Sequence, residues 1–372
     1  MRIPRLDRAL VLEIAGPFAA ALAFLFGLLL TMQLLRGVDV LLGSGVRPAD
    51  LGTILACLAP HFLAMAMPVS FLFALMLVVG RWSEDREVLA LAASGIAPWR
   101  LWLAPLVFAL VLAAFGTWLG QGPEPRGLSA LRSHVNVLIK RNMAGDVKPG
   151  VFYDALRSMT LYSQGVSPKT RRFNNVLLAD ERDPEASLLV LAHEGVVDPH
   201  GSGGTLRLVL SDGEIHRSSA QGDDYAVVTF EKASLDIGVG GDLLRNYRFG
   251  ASREELTPVE LKERSARAAA NADWGGFRMY ETAWHHRVAA PLAVVAFAAF
   301  GVPLALRRRQ RSRALGAVAT LGMYVGYYVC SRGAELAAEG GRVPPFVGAH
   351  LANVLFVVLG LVLLRRAARV EA

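Results

Sequence analysis

Residues 10–35 read LVLEIAGPFAAALAFLFGLLLTMQLL, and Glu13 is the only charge among them. As a helix this run extends about 39 Å, enough to cross a hydrocarbon core of about 30 Å. It is too long for the apolar part of a signal peptide, and no small-residue cleavage site follows. Five further blocks of the same kind stand at residues 54–80, 101–120, 284–306, 314–331 and 346–364. They account for a composition that is 53% hydrophobic and 19% charged over 372 residues, where soluble domains carry about 25% charge. A purely soluble protein is excluded. So is a fully embedded one, because the middle of the chain is polar and ordinary. The expected fold is an α-helical polytopic membrane protein, six spans arranged 3+3, with an inserted all-β domain.

Orientation follows from Lys and Arg in the short loops. Arg2, Arg5 and Arg8 precede the first block, and Arg81, Arg86 and Arg100 separate the second from the third. Arg307, Arg308, Arg309, Arg311 and Arg313 separate the fourth from the fifth, and Arg365, Arg366 and Arg369 follow the sixth. All four segments fall on one side if every block spans. That side is expected to be cytoplasmic, with both termini inside. The opposite short loops offer only Arg36, Arg47, Arg332 and Arg342. The net charge of +7 and the pI near 9.7 therefore read as membrane orientation, and no nucleic-acid partner is expected.

Residues 121–280 then lie on the outer side, divided from transmembrane parts at 1–120 and 281–372. They hold short β-rich runs: MTLYSQGV, NNVLLADE, ASLLVLAHEGVV, TLRLVLSDGEIHR and DYAVVTFEKASLDIGV. Ser211-Asp212-Gly213-Glu214 reads as a hairpin turn, since Asp-Gly supplies positive φ cheaply. The pattern points to an antiparallel sandwich or open barrel. Segments 124–145 and 257–275 read as helices that link it to the membrane.

Catalytic chemistry is sparse. Gly165-Val166-Ser167-Pro168-Lys169-Thr170 approaches a P-loop but lacks its spacing, and has Pro where backbone N–H donors are needed. Any ATPase is a separate chain. The blocks carry no Asp or Glu near their centres, which argues against an ion-driven carrier. Glu13 lies at the inner end of its block. His285 and His286 are adjacent, so on a helix they point about 100° apart and make a poor chelating pair. The two cysteines, Cys57 and Cys330, both lie in apolar blocks and read as filler. No metal and no cofactor are expected.

The loop GRWSEDREVLALAASGIAPW, residues 80–99, reads as a short amphipathic helix over about 83–95. Ser83 is placed as its N-cap, acids fill the first turn, and Val88, Leu91 and Ala92 form an apolar stripe. Gly95 is placed as its stop, with Pro98 beyond. One reading is a helix resting on lipid. The other is a helix that docks in a groove of a cytoplasmic ATPase, which its acidic residues favour because lipid-binding helices are rich in Lys and Arg. Arg36 and Arg332 each close a block at the outer side. Either they snorkel to the headgroups, or they bind phosphates of an anionic lipid with the guanidinium fork.

Taken together, these segments resemble the LptF/LptG (YjgP/YjgQ) permeases of the lipopolysaccharide export transporter, over essentially the whole chain. The loop from Asp85 to Gly95 matches the form S/D-x-E-hydrophobic-x-A-x-x-A-x-G. His286-Arg287 through Pro291-Leu292, then Gly301-Val302-Pro303-Leu304, Tyr327-Tyr328 and Pro344-Pro345 match as well. Gln33-Leu34-Leu35-Arg36 and Lys148-Pro149-Gly150-Val151-Phe152 look more like the LptF side. Ala92 departs from the pattern, standing where many relatives carry a polar or basic residue. The resemblance implies a permease subunit rather than an enzyme, paired with an LptG-type homologue above an LptB-type ATPase dimer. It implies a periplasmic jellyroll-like domain that passes lipopolysaccharide to LptC and LptA, and gates at spans one and five. Coupling to the ATPase carries over to Glu87, within a loop that includes Glu84, Asp85, Leu91 and Gly95. Lipid contact carries over to Arg36 and, with looser alignment, to Arg332. A membrane-anchored envelope enzyme would need a polar catalytic cluster in the β domain, and no spacing there supplies one. A different ABC-linked permease would have four spans.

Overall fold

A computed structural model describes residues 5–41, 48–96, 100–142, 150, 152–156, 159–167, 172–180, 186–198, 206–219, 225–237, 253–307 and 313–370. Five helices come first: α1 (Arg5–Leu41), α2 (Pro48–Glu84), α3 (Glu87–Ala93), α4 (Arg100–Gln121) and α5 (Pro123–Asn142). Six strands follow: β1 (Phe152–Leu156), β2 (Met159–Ser167), β3 (Arg172–Asp180), β4 (Ala186–Asp198), β5 (Leu206–Ser219) and β6 (Tyr225–Ile237). Four helices close the chain: α6 (Pro258–Ala270), α7 (Trp274–Arg307), α8 (Arg313–Glu339) and α9 (Pro345–Val370). The helices expected at 124–145 and 257–275 correspond to α5 and α6. One compact unit comprises Met1–Gln33, Ala56–Leu128 and Arg253–Ala372, and a second comprises Leu34–Leu55 and Ser129–Ser252.

Among the described residues, five helical stretches are long and apolar enough to cross a membrane: Arg5–Leu35, Ala49–Glu84, Arg100–Val135, Trp274–Leu306 and Pro345–Arg366. The sixth expected span, residues 314–331, lies within α8, which at 27 residues extends about 40 Å.

The helical unit is closed by a core of large side chains from several helices. Phe71, Leu72 and Leu75 of α2 meet Val294, Phe297 and Val302 of α7, with Met323 and Tyr327 of α8 and Phe356 of α9. Ring centroids lie 4.9 Å apart for Phe297–Tyr327 and 5.3 Å for Tyr327–Phe356, both edge-to-face, the arrangement the ring quadrupoles favour. One polar chain runs through this apolar core. Tyr327 donates its hydroxyl to Asn353 Oδ1 at 2.7 Å, and Asn353 Nδ2 donates to Ala289 O at 2.8 Å. Both groups are buried and so need these partners. Close packing of α9 on α7 depends on a glycine: a Cβ at Gly360 would stand 2.2 Å from Ala299 O.

The second unit contains one antiparallel sheet in the order β1-β2-β3-β4-β5-β6. The all-β insert is as expected, and its described strands form a consecutive meander without the Greek-key crossovers of a jelly roll. β1 adds a strand that the sequence reading did not include. The expected hairpin at Ser211–Glu214 does not exist. These residues lie inside β5, which keeps a single register with β4 from Arg207↔Asp198 to Ser219↔Ala186, interrupted at Asp212. Asp212 does take positive φ (52°), and so does Asn175 of β3 (50°). Their effect is a crease, not a reversal. Asn174 and Asn175 point outward in succession, as do His193 and Glu194, while Phe173, Val176, Ala192, Gly195 and Leu210 on either side are buried. The alternation slips by one residue along a line that crosses the strands. Gly213 is needed there, since a Cβ would stand 2.2 Å from Leu191 O. Buried Ser163 places its hydroxyl 2.8 Å from Gly165 O and 3.0 Å from Asn174 O, giving a donor to carbonyls the crease disturbs. The outer side of the crease opens a groove of about 530 Å³ lined by Tyr162, Leu177, Leu191, His193 and Asp212.

Candidate functional site

The turn between α2 and α3 differs from its sequence reading at its start and in the length of the helix. Ser83 is not an N-cap, because α2 continues through it to Glu84. The break comes two residues later. Asp85 N donates to Arg81 O at 2.9 Å, closing α2. Arg86 then takes the left-handed conformation, φ 59°, and α3 starts at Glu87 with no side-chain cap. The helix is shorter than expected, seven residues. Its end is as read. Gly95 has φ 84°, Gly95 N donates to Ala92 O at 3.0 Å and Ile96 N to Leu91 O at 3.0 Å. That pair of bonds is a Schellman motif, whose left-handed residue glycine adopts without a Cβ penalty.

The two faces of α3 are unlike. Val88 and Leu91 pack against the helical core, whereas Leu89 is 67% exposed. Glu84, Asp85, Arg86 and Glu87 are all exposed. Of the residues assigned to coupling, Glu84, Asp85 and Glu87 therefore form one acidic edge, Leu91 faces the bundle, and Gly95 shapes the exit. Behind this turn stands a residue that composition alone did not assign. Glu13 of α1 accepts from Arg81 Nη2 at 2.5 Å and from Trp82 Nε1 at 2.7 Å. A carboxylate inside an apolar block calls for such partners.

The opposite end of the helical unit is a field of ion pairs. Arg332 donates to Glu335 three residues on, and Glu335 Oε1 also lies 3.5 Å from His286 Nε2. Arg332 is exposed while Glu335 is buried, so one terminal nitrogen of the guanidinium is held while the side chain stays open to its surroundings. Arg36 lies on α1, but its side chain is outside the described residues, as are Lys148, Pro149 and Val151. Arg253 pairs with Glu339, and Arg278 Nε donates to Glu339 O at 3.1 Å. His61 Nδ1 stands 2.8 Å from Glu124 Oε1. His285 stands 3.9 Å from Glu281, which also accepts from Lys262 at 2.8 Å. Arg287 is the most connected. It donates to Gly120 O at the end of α4, and to Arg253 O (3.2 Å), Glu254 O (3.0 Å) and Leu256 O in the turn that begins the last helical segment. In α6, Thr257 and Glu260 form a capping box, and the Thr257 N–H and hydroxyl hold the Glu260 carboxyl below its ordinary range.

The family described as "Lipopolysaccharide export system permease LptF/LptG" matches residues 8–366. The chain belongs to the LptF/LptG family. It is thus a multi-pass membrane protein of a lipopolysaccharide exporter, a permease subunit rather than an enzyme. A comparison with curated proteins found no match. Several motifs of this LptF/LptG permease have physical roles in the structure. Arg287 of the His286-Arg287 pair fastens four backbone carbonyls, and Tyr327 of the tyrosine pair anchors the buried chain to Asn353. Asn353 itself had only one signal in the sequence, an amide inside an apolar block.

Proposed function

We propose that this chain is the LptF-type subunit of an ABC transporter that extracts lipopolysaccharide from the inner membrane and delivers it toward the outer membrane. The observation that carries the reading is the exposed acidic edge of Glu84, Asp85 and Glu87, projected beside a helix whose other face is seated in the bundle. A short ledge with exposed negative charge suits a basic groove on a soluble partner. An LptB-type ATPase dimer docks there, with Glu87 facing a basic residue, while Leu91 and Gly95 keep the ledge in shape. ATP hydrolysis belongs to that partner, and this chain needs no cofactor. The Gln33–Arg36 and Lys148–Phe152 segments support the LptF side, so the second permease is an LptG-type homologue. The arginine-rich loops and both termini are cytoplasmic, and residues 121–280 form the periplasmic domain. Arg36 and Arg332 bind lipid phosphates in the cavity between the permeases, and the β domain hands lipid to LptC and LptA.

The test begins with purification in mild detergent. A soluble ATPase and a second six-span homologue co-elute. Elution alone, under conditions that preserve other ABC complexes, removes the reading. In the assembled complex Glu87→Ala weakens ATPase binding about five- to tenfold; unchanged affinity with full transport refutes the role of Glu87. Arg36→Glu lowers lipopolysaccharide crosslinking to α1, and unchanged crosslinking assigns Arg36 to snorkelling.

A further inference from the structure

α1 is attached to the bundle unevenly along its length. Near its start Leu10 and Ile14 are buried, and Leu6 and Val11 pack against the core. Phe18 meets Phe108 edge-on at 5.8 Å. Leu22 still packs against the core, but beyond it Phe24 is 69% exposed, and Leu28 and Met32 are exposed too. The exposed stretch of α1 can swing about the seat at its start. Among the described residues of the seat, the directed contacts are those of Glu13, and both end on the last turn of α2, at Arg81 and Trp82.

That last turn is also the root of α3. Arg81 O accepts from Asp85 N, and Arg86 fixes the direction of the next helix. Val88 and Leu91 of α3 pack on the same core as Leu6 and Val11 of α1. A force on α3 therefore reaches Arg81 and Trp82 within one turn of chain. Apolar contacts slide, whereas a carboxylate gripping two donors transmits direction. We propose that Glu13 is a positioning residue for transport: through Arg81 and Trp82 it makes α1 follow the displacement of α3. Phe24, Leu28 and Met32 then move with it. This inference rests on the reading of α3 as the docking helix.

The test uses the assembled complex with Cys57 and Cys330 replaced by alanine, and spin labels in two pairs. The first pair, at Ala93 and Val107, reports α3 against α4. The second, at Phe24 and Val107, reports α1 against α4. Distances are measured without nucleotide and with ATP trapped by vanadate. In the parent both pairs shift. In Glu13→Ala the α3 pair still shifts, while the α1 shift falls by about half or more and lipopolysaccharide release drops roughly tenfold. Glu13→Gln keeps an acceptor for Trp82 and a neutral bond from Arg81, and retains most of the shift. If Glu13→Ala does not assemble, Glu13→Gln combined with Trp82→Phe takes its place, with the same loss expected. A full α1 shift in either disabled variant overturns the proposal, as does a parent in which α3 moves and α1 does not. A parent in which α3 itself stays still overturns the docking reading, and the role of Glu13 with it.

Discussion

Arg287→Ala is the most informative single change in the helical unit. One half-buried guanidinium serves four carbonyls: Gly120 at the open end of α4, and Arg253, Glu254 and Leu256 in the turn before α6. Carbonyls at a helix end have no helical donor of their own. A hydrogen bond to a charged donor contributes about 1.5–3 kcal/mol net. Simple addition would give about 6–12 kcal/mol, but the four share one cation, and Glu254 is exposed to water. The figure for breaking a buried charged arrangement, about 3–5 kcal/mol, is the better bound. Arg287→Lys keeps the charge but replaces a flat five-donor fork with a single ammonium, and recovers about half of that. Thermal unfolding in detergent should show the alanine variant melting about 5–10 °C lower. Amide exchange at residues 253–257 should rise, since those carbonyls lose their anchor. A melting point within about 1 °C of the parent, with unchanged exchange, would refute the assignment.

Gly360→Ala places a Cβ 2.2 Å from Ala299 O, so α9 must retreat about 1 Å, at a cost of roughly 1–3 kcal/mol. Gly326→Ala, where a Cβ meets nothing within 4 Å, is the control and should leave the melting point of the isolated chain unchanged or slightly raised; equal effects at both sites would sink the packing argument. Tyr327→Phe strands Asn353 Oδ1 in the core and should cost about 1–3 kcal/mol, read as a lower melting point. Thr257→Ala should cost about 1 kcal/mol at neutral pH through loss of the capping box. Because the Glu260 carboxyl is held below its ordinary value of 4.5, that contribution is present above the ordinary value and lost as pH falls through the lowered one. The gap between Thr257→Ala and parent should therefore close in acid, and a deficit that is the same at pH 7 and pH 3 would contradict this.

Much of the architecture was legible because the strongest physical constraints act over short windows. Residues 10–35 announce a membrane helix by themselves, and Gly95 announces a helix end. The strand runs were legible too, from alternation and turn residues. Asp212-Gly213 was misread for a local reason. Positive φ and the absence of a Cβ serve a reversal and a crease equally, and only the pairing of β4 with both halves of β5 decides between them. Ser83 was misread because a good capping residue is also tolerated near a helix end, and α2 runs one residue past it. α8 was readable as a helix from the uncharged run at residues 314–331. At the site, the acidic edge was visible as sequence. The partners of Glu13 and Arg287 were not, since Arg81 and Glu13 stand 68 residues apart and the acceptors of Arg287 are backbone atoms, on which no side-chain identity bears.

The crease across the sheet fixes how this domain can change length. Its line passes through Asn175 in β3 and Asp212 in β5, with His193 of β4 between them in register. Adding or deleting one residue in a single strand would shift that strand's bend out of line and turn its inward side chains to water. The strands are therefore locked to one another in length. An insertion within β3, β4 or β5, however short, should cost the domain its fold.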